Sequence, residues 1–269
     1  MRAWGRFARA WRALAALVVI AVVATATAYA MRVSPMVLEM ETRGTNAVAR
    51  LEVQNLNQGN LAFETRITRM EFDENGNVVE TPADEEFLVF PPQGILPPGG
   101  RQVVRLQWVG EAELPAAQAY YVSVNQLPVS LEPGAPDTVG AQVQIVYHMK
   151  ALVVVAPPGA TPNVEPASVR PIQFQPQTEG GDAAPPPTVP GVEVVLRNTG
   201  RRHAMMAGLG WRFEGTGVNG QRIRIEVAPE ELNRAIGTGY VPALGERTFR
   251  LPLVDGFAPD QPIRLSFVQ

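Results

Sequence analysis

The sequence predicts an all-β protein built from two tandem β-sandwiches, and three observations carry that prediction. Short runs rich in Val, Ile, Leu and Phe recur at strand length, each bounded by Gly, Pro or Asn. No long stretch keeps the 3.6-residue period of a helix. The chain has 269 residues, room for two ordinary domains, and Pro157-Pro158-Gly159 breaks it near the middle.

The first thirty residues stand apart from this pattern. Arg2, Arg6, Arg9 and Arg12 make a basic start, residues 13–26 are apolar, and Ala28-Tyr29-Ala30 has the small-x-small form of a cleavage site. Residues 1–30 therefore read as a secretory signal peptide cut after Ala30. The apolar run is shorter than the roughly 20 residues a membrane-spanning helix needs.

Residues 31–156 form the first predicted domain, with strands at 33–40, 47–54, 61–72, 86–90, 101–108, 119–126 and 142–155. Ala49, Leu51 and Val53 alternate with Arg50, Glu52 and Gln54, the pattern of a strand with one wet face. Asp73-Glu74-Asn75-Gly76 supplies a residue tolerant of positive φ for a tight reversal. Pro91-Pro92 and Pro97-Pro98-Gly99-Gly100 bracket a loop, because proline cannot donate to a ladder. Seven strands in about 120 residues suggest an immunoglobulin-like sandwich.

Residues 157–269 form the second, smaller β-domain, with strands near 168–174, 192–197, 205–213, 221–227, 246–251 and 262–268. Residues 175–191 are too poor in apolar side chains to order themselves, which predicts a loop. Gly217-Val218-Asn219-Gly220 reads as a hairpin turn, and residues 229–236 as a helical turn or two.

Composition excludes several classes of function. The chain carries 23 basic and 26 acidic residues, and loss of the four leader arginines leaves 19 basic residues, a net charge near −7. No nucleic-acid partner is expected at that charge. Without cysteine there is neither a disulfide nor a lipid anchor through one. Two histidines, His148 and His203, do not make a zinc site, and no G-x-S-x-G turn is present. Asp84-Glu85-Glu86 is more often a solvated strand entrance than a calcium site. The glycines of residues 208–220 lie between strands and precede no helix, so they lack the context of a phosphate cradle. The expectation is a non-enzyme with no cofactor and no metal.

Residues 140–155, GAQVQIVYHMKALVVV, pose the functional question. Val143, Ile145, Tyr147 and Met149 alternate with Gln142, Gln144 and His148, and an unbroken apolar run follows. Residues 151–155 carry apolar side chains on both faces and must be buried on both. The earlier half has one apolar side, which suits either a core strand or an edge kept for another chain.

Four segments resemble the periplasmic chaperones of pilus assembly, the PapD-like family. They are PPQGILPPGGRQVVRLQW (91–108), LPAAQAYYVSVNQLP (114–128), VEVVLRNTG (192–200) and GLGW (208–211). The resemblance implies two immunoglobulin-like domains in a boomerang arrangement, binding pilus or fimbrial subunits and passing them to an outer-membrane usher. In that family the chaperone lends a strand to an incomplete subunit, a case of β-strand addition. The lent residues map onto Val139, Ala141, Val143 and Ile145, with Tyr147 next toward the cleft. The loop at 128–140 would cover the edge in the empty protein, and a self-capped homodimer is a further option.

The family also grips the subunit's terminal carboxylate with a lysine of the lending strand and an arginine of the first strand. Lys150, the chain's only lysine, occupies the lysine position. The arginine position falls near Leu38 or Glu39, and Arg32 and Arg43 lack its spacing. Charged residues that join the two domains in the family are replaced by Gln118 and Val154. Two alternatives remain: a tandem immunoglobulin-like adhesion or structural module of the envelope, and a carbohydrate- or calcium-binding sandwich hinted at by Trp108 and Trp211.

Overall fold

A computed structural model describes residues 31–128, 146–176 and 186–268. The strand expected at 33–40 is two strands, β1 (Met31–Ser34) and β2 (Val37–Glu41). Between them Pro35 has no N–H to give a ladder, and the chain crosses from one sheet to the other. β1 runs antiparallel to β3 (Val48–Asn55), whereas β2 runs parallel to β10 (His148–Ala156).

One sheet of the first sandwich has the order β1-β3-β8-β6, with β6 at Phe87–Phe90 and β8 at Arg101–Trp108. The facing sheet has the order β2-β10-β9-β4-β5, with β4 at Leu61–Phe72, β5 at Val78–Pro82 and β9 at Gln118–Leu127. β7 (Gln93–Leu96) also pairs with β4. Neither β5 nor β7 is expected from the sequence. All five residues of β5 are exposed, so no buried face marks its period, and β7 lies in what the bracketing prolines suggest is a loop. Gly94 lets β7 approach, since a Cβ there would meet the Phe63 ring at 2.8 Å.

The expected reversal at residues 73–76 joins β4 to β5. Gly76 has φ 80, and the Asp73 carboxylate accepts hydrogen bonds from the Asn75 and Asn77 amides. Leu51, Val53, Phe63, Ile67, Val104, Leu106, Tyr120, Val122 and Val153 fill the core between the sheets. Each such side chain contributes roughly 1.5–3 kcal/mol. Trp108 and Phe87 meet edge to face at 5.1 Å in this core. The acidic run at 84–86 is structural: Asp84 Oδ1 accepts the Ile67 amide, while Glu86 accepts from Arg69 and from the Tyr120 hydroxyl.

The second sandwich packs a sheet of order β11-β12-β17 against one of order β15-β14-β18. Their strands are β11 (Val164–Phe174), β12 (Val189–Asn198), β14 (Gly210–Thr216), β15 (Arg222–Val227), β17 (Gly245–Pro252) and β18 (Arg264–Val268). The strand expected at 205–213 divides into β13 (Ala204–Met205), a 3-10 turn at 206–208, and β14. β13 pairs with β16 (Tyr240–Val241). Helix α1 (Pro229–Ile236) begins with proline, which needs no hydrogen-bond partner there, and ends at Gly237 with φ 62. Trp211 lies in the core, its indole N–H donating to the Met206 carbonyl.

Each sandwich fastens a loop with one buried asparagine at the end of a strand. Asn55 closes β3 and donates from Nδ2 to the carbonyls of Gly59, Leu96 and Pro97. Asn198 closes β12 and donates to the carbonyls of Arg202 and Pro242, while its Oδ1 accepts the Asn163 and Gly200 amides. Buried amides of this kind are stabilising because every polar atom they cover is satisfied.

Candidate functional site: an open strand edge and the cleft beside it

β10 is paired along its whole inner edge, from His148 opposite Asn125 to Val155 opposite Gln118. On its outer edge β2 joins only at Leu152. Among the described residues, His148, Met149, Lys150 and Ala151 have no strand on that outer side. A strand with free main-chain donors and acceptors along one edge is a template for a further strand. Val139, Ala141, Val143 and Ile145 lie outside the described residues, as do the leader and most of the 128–140 loop.

Strand alternation sends the side chains of β10 to two different cores. Ala151, Val153 and Val155 are buried in the first sandwich, whereas Leu152 and Val154 are buried with Met70, Ala119 and Tyr240. Tyr240 comes from the second sandwich, so the second face of β10 is the cleft between the sandwiches. This is the double burial expected of residues 151–155. Tyr147 and Met149 pack against the first sandwich's core, and the Tyr147 carbonyl accepts the Gln126 amide while its own amide donates to the Gln126 side chain. Tyr147 therefore turns away from the face that carries Lys150.

Lys150 shares the cleft face with Leu152 and Val154. Its ammonium donates to Glu80 Oε1 at 2.6 Å and lies 5.6 Å from the centre of the Tyr121 ring. Glu80 Oε2 accepts the Thr68 hydroxyl at 2.7 Å. The hydrogen bond from Lys150, then that from Thr68, holds the Glu80 carboxyl below the usual carboxylate range. Burial raises the Tyr121 hydroxyl above its ordinary pKa, with Glu80 adding to the effect while Arg247 and Lys150 oppose it.

The arginines considered as partners for Lys150 are elsewhere. Arg32 lies on β1 in the opposite sheet, across from Gln54, and Arg43 pairs with Glu113 at 2.7 Å. Leu38 is buried in the first core. Glu39 faces the second sandwich and pairs with Arg202 at 2.5 Å, so an ion pair does join the sandwiches, though not through position 118 or 154. Gln118 instead accepts the Tyr120 hydroxyl. Arg201 adds hydrogen bonds to the carbonyls of Leu114 and Pro115.

Two further cleft residues escape a reading of the sequence. Arg247, on β17, lies 4.1 Å from the centre of the Phe72 ring and donates to the Tyr240 carbonyl. His203 is buried, stacked on Tyr240 at 5.8 Å. A cavity of about 350 Å³ between the sandwiches is lined by residues including Met70, Phe72, Ala119, Tyr240 and Pro242. Among the described residues no three His, Asp or Glu side chains gather as metal ligands would.

Residues 32–161 match the family described as the pili and flagellar-assembly chaperone, PapD N-terminal domain. No curated protein matches the chain. Among solved structures, the class 5 fimbriae chaperone CfaA is 11% identical, with 89% of this chain and 99% of that one covered at a TM-score of 0.50. A chain of the Salmonella enterica SafA pilin–SafB chaperone complex is 15% identical, covering 91% and 99% at 0.48. A chain of the CsuC–CsuE chaperone–tip adhesion subunit complex of Acinetobacter baumannii is 11% identical, covering 82% and 89% at 0.47. At such identity the likeness to CfaA speaks for the fold alone. The family match makes the first sandwich a PapD-like domain of the pilus-assembly chaperone type, set in an all-β chain of two immunoglobulin-like domains.

Proposed function

We propose that this protein binds pilus or fimbrial subunits in the periplasm by lending them the edge of residues 139–147, and hands them to an outer-membrane usher. The observation that carries this reading is the outer edge of β10 from His148 to Ala151, which no strand among the described residues pairs, reached directly from the segment that would be lent. Main-chain pairing along such an edge contributes about 1 kcal/mol net per hydrogen bond. Val139, Ala141, Val143 and Ile145 supply the apolar contacts, at roughly 1.5–3 kcal/mol for each large side chain buried, and Tyr147, packed on the first sandwich's core, ends the lent segment. No catalytic group is needed. Export follows cleavage after Ala30, and the two domains divide between Ala156 and Pro157.

The test is periplasmic co-expression with a small exported subunit, followed by co-purification. Val143→Glu with Ile145→Glu puts two charges where apolar contacts are needed, and should abolish capture while circular dichroism and the melting temperature stay unchanged. Capture by a folded double variant would remove residues 139–147 from the function.

A further inference from the structure

The outer face of the β11-β12-β17 sheet carries a charged row that the proposed function leaves unused. Register sets Arg170, Glu193 and Arg250 side by side on the three strands. Arg170 donates from Nε and from a terminal nitrogen to Glu193 Oε1, at 2.7 and 2.6 Å, and Arg250 Nε donates to Oε2 at 2.9 Å. The glutamate side chain is only 10% exposed, whereas each arginine side chain is 66% exposed. Burial opposes ionisation of Glu193, but the hydrogen bonds from Arg250 and Arg170 hold its pKa below the usual carboxylate range. One enclosed carboxylate therefore orients two guanidiniums, whose remaining terminal N–H donors stay free for another acceptor among the described residues.

These residues line a depression of about 780 Å³, with Ile172 and Phe174 of β11 as apolar wall. Gly191, beside Glu193 on the same face of β12, leaves the row between Ile172 and Pro252 without a side chain. That gap is required, because a Cβ at Gly191 would meet the Leu251 carbonyl oxygen at 2.6 Å and the Phe174 Cβ at 2.8 Å. A third cation, Arg234 of helix α1, lines the same depression. Among the described residues Arg234 has no carboxylate partner, only a long hydrogen bond to the Glu230 carbonyl at 3.3 Å. Three guanidiniums against one carboxylate leave two positive charges in excess, on a chain that is negative overall. Asp73, Glu74 and Glu246 border the next depression, which Arg250 also lines, yet Arg250 pairs with Glu193 alone among the described residues.

Guanidinium forks arriving from three different elements suit an anion whose oxygens point in several directions. A carboxylate offers two oxygens in one plane and a single charge. A phosphate monoester offers three acceptor oxygens and a charge of roughly −1.5 to −2 at neutral pH, and the apolar wall suits the organic group that carries it. We propose that Arg170, Arg250 and Arg234 form a binding site for a phosphate monoester, with Glu193 as the buried residue that positions the first two. The site lies on the second sandwich and needs neither residues 139–147 nor β10, so it goes beyond the capture of subunits.

Phenyl phosphate is the first probe, titrated at constant ionic strength into the full chain, with the arginine side-chain N–H resonances followed by NMR. It should shift the Arg170 and Arg250 Nε–H signals, which Arg170→Lys and Arg250→Lys identify by their loss. Benzoate, with the same ring and one charge, should bind about tenfold more weakly, the effect of one charge-assisted hydrogen bond. Arg234→Gln removes a cation from an exposed side chain and leaves the row on the sheet intact; it should weaken phenyl phosphate by a similar factor. Arg250→Lys keeps the charge but loses the fork, and should weaken it as well. Vesicles of phosphatidylcholine with phosphatidic acid, whose headgroup is a phosphate monoester, decide the source. Retention on them that falls in Arg234→Gln, and is absent when phosphatidylglycerol replaces phosphatidic acid, upholds the site with a lipid headgroup as ligand. Phenyl phosphate binding without retention specific to phosphatidic acid upholds it with a soluble ligand.

Equal binding of benzoate and phenyl phosphate, or no shift of either Nε–H signal, would overturn the site. Undiminished binding of phenyl phosphate to Arg234→Gln and Arg250→Lys proteins of unchanged melting temperature would do the same. Arg170, Glu193 and Arg250 would then be an ion network that serves the sheet alone.

Discussion

Lys150 and Glu80 meet at 2.6 Å across the cleft face of one sheet, with β9 and β4 lying between their strands. The lysine side chain passes over Tyr121 to reach a carboxylate that Thr68 also holds. The two side chains keep 46% and 29% of their exposure. A pair as wet as this contributes only about 0.2–1 kcal/mol, so Glu80 occupies Lys150 without locking it.

Replacing Glu80 by Gln tests that relationship. The amide keeps the side chain's length and removes its charge, so stability should fall by less than about 1 kcal/mol at neutral pH. Capture of a subunit should strengthen, by up to about fivefold, because Lys150 no longer shares itself with an internal carboxylate. Calorimetric titration measures the second effect and urea unfolding the first. Weaker or unchanged capture would mean that Lys150 plays no part in anchoring. Because the folded Glu80 pKa is depressed from 4.5, its stabilisation is present above that pH and disappears as the folded value is passed on acidification. The variant should lack that acid-side component.

The buried asparagines offer a stability test independent of function. Asn55→Ala removes the hydrogen bonds to the carbonyls of Leu96, Pro97 and Gly59 and the acceptor of the Asn57 amide, while Pro97 keeps the Gly100 amide, and each buried group left unsatisfied costs about 1–3 kcal/mol. A total loss of about 2–4 kcal/mol is expected in urea unfolding, discounting for water reaching the exposed part of the loop. Asn198→Ala should also loosen the cleft, because Asn198 holds the main chain of Arg202, whose guanidinium pairs with Glu39. Its signature is a lower stability together with faster exchange of the Ala117 amide, which donates to the Arg201 carbonyl. A change of less than about 0.5 kcal/mol in Asn55→Ala would show that the loop carries its own stability.

Tyr120 is the third such case. Its hydroxyl donates to Glu86 at 2.6 Å, and Glu86 in turn pairs with Arg69 at 2.5 Å. Tyr120→Phe keeps the ring contacts with Phe87 and Trp108, so the loss reports the hydroxyl's contacts with Glu86 and Gln118. About 1–3 kcal/mol is expected for a bond to a charged group, read from the denaturant midpoint at unchanged m-value. A loss near zero would mean that Glu86 is held by Arg69 without help.

What the sequence made legible follows from burial. β3, β4 and β8 have one wet and one dry face or a long apolar run, so period two locates them within a residue or two. β5 has no dry face, and β7 follows two prolines in a stretch without alternation, so neither left a periodic signal. The same limit hid the cleft. Glu80 sits on the unseen β5, and Arg247 reaches Phe72 only through the way the sandwiches meet, which pairs residues 175 positions apart. Lys150 was legible because it is the single lysine in a strand of alternating residues. Its partners were not, because sheet order and not sequence spacing decides them.

His203 provides a pH test of the cleft. Its side chain is 2% exposed, stacked on Tyr240, with Nε2 3.7 Å from Glu39 Oε1. Burial pushes the His203 pKa below 6.5 and the Arg202 charge pushes it further, while Glu39 pulls the other way. Burial opposes ionisation of Glu39, but the Arg202 hydrogen bond and the nearby positive charges hold its pKa below 4.5. Glu39 therefore stays charged as His203 titrates. Below pH 6.5 the unfolded chain binds the proton more readily than the folded one, so stability falls with acidification until the folded pKa is passed. Each unit of separation between the two values amounts to about 1.4 kcal/mol. His203→Phe keeps an aromatic ring against Tyr240 and cannot titrate. The melting temperature of the natural protein should drop between about pH 7 and pH 5, and that of the variant should change less. Equal slopes in the two proteins would place the acid sensitivity outside the cleft.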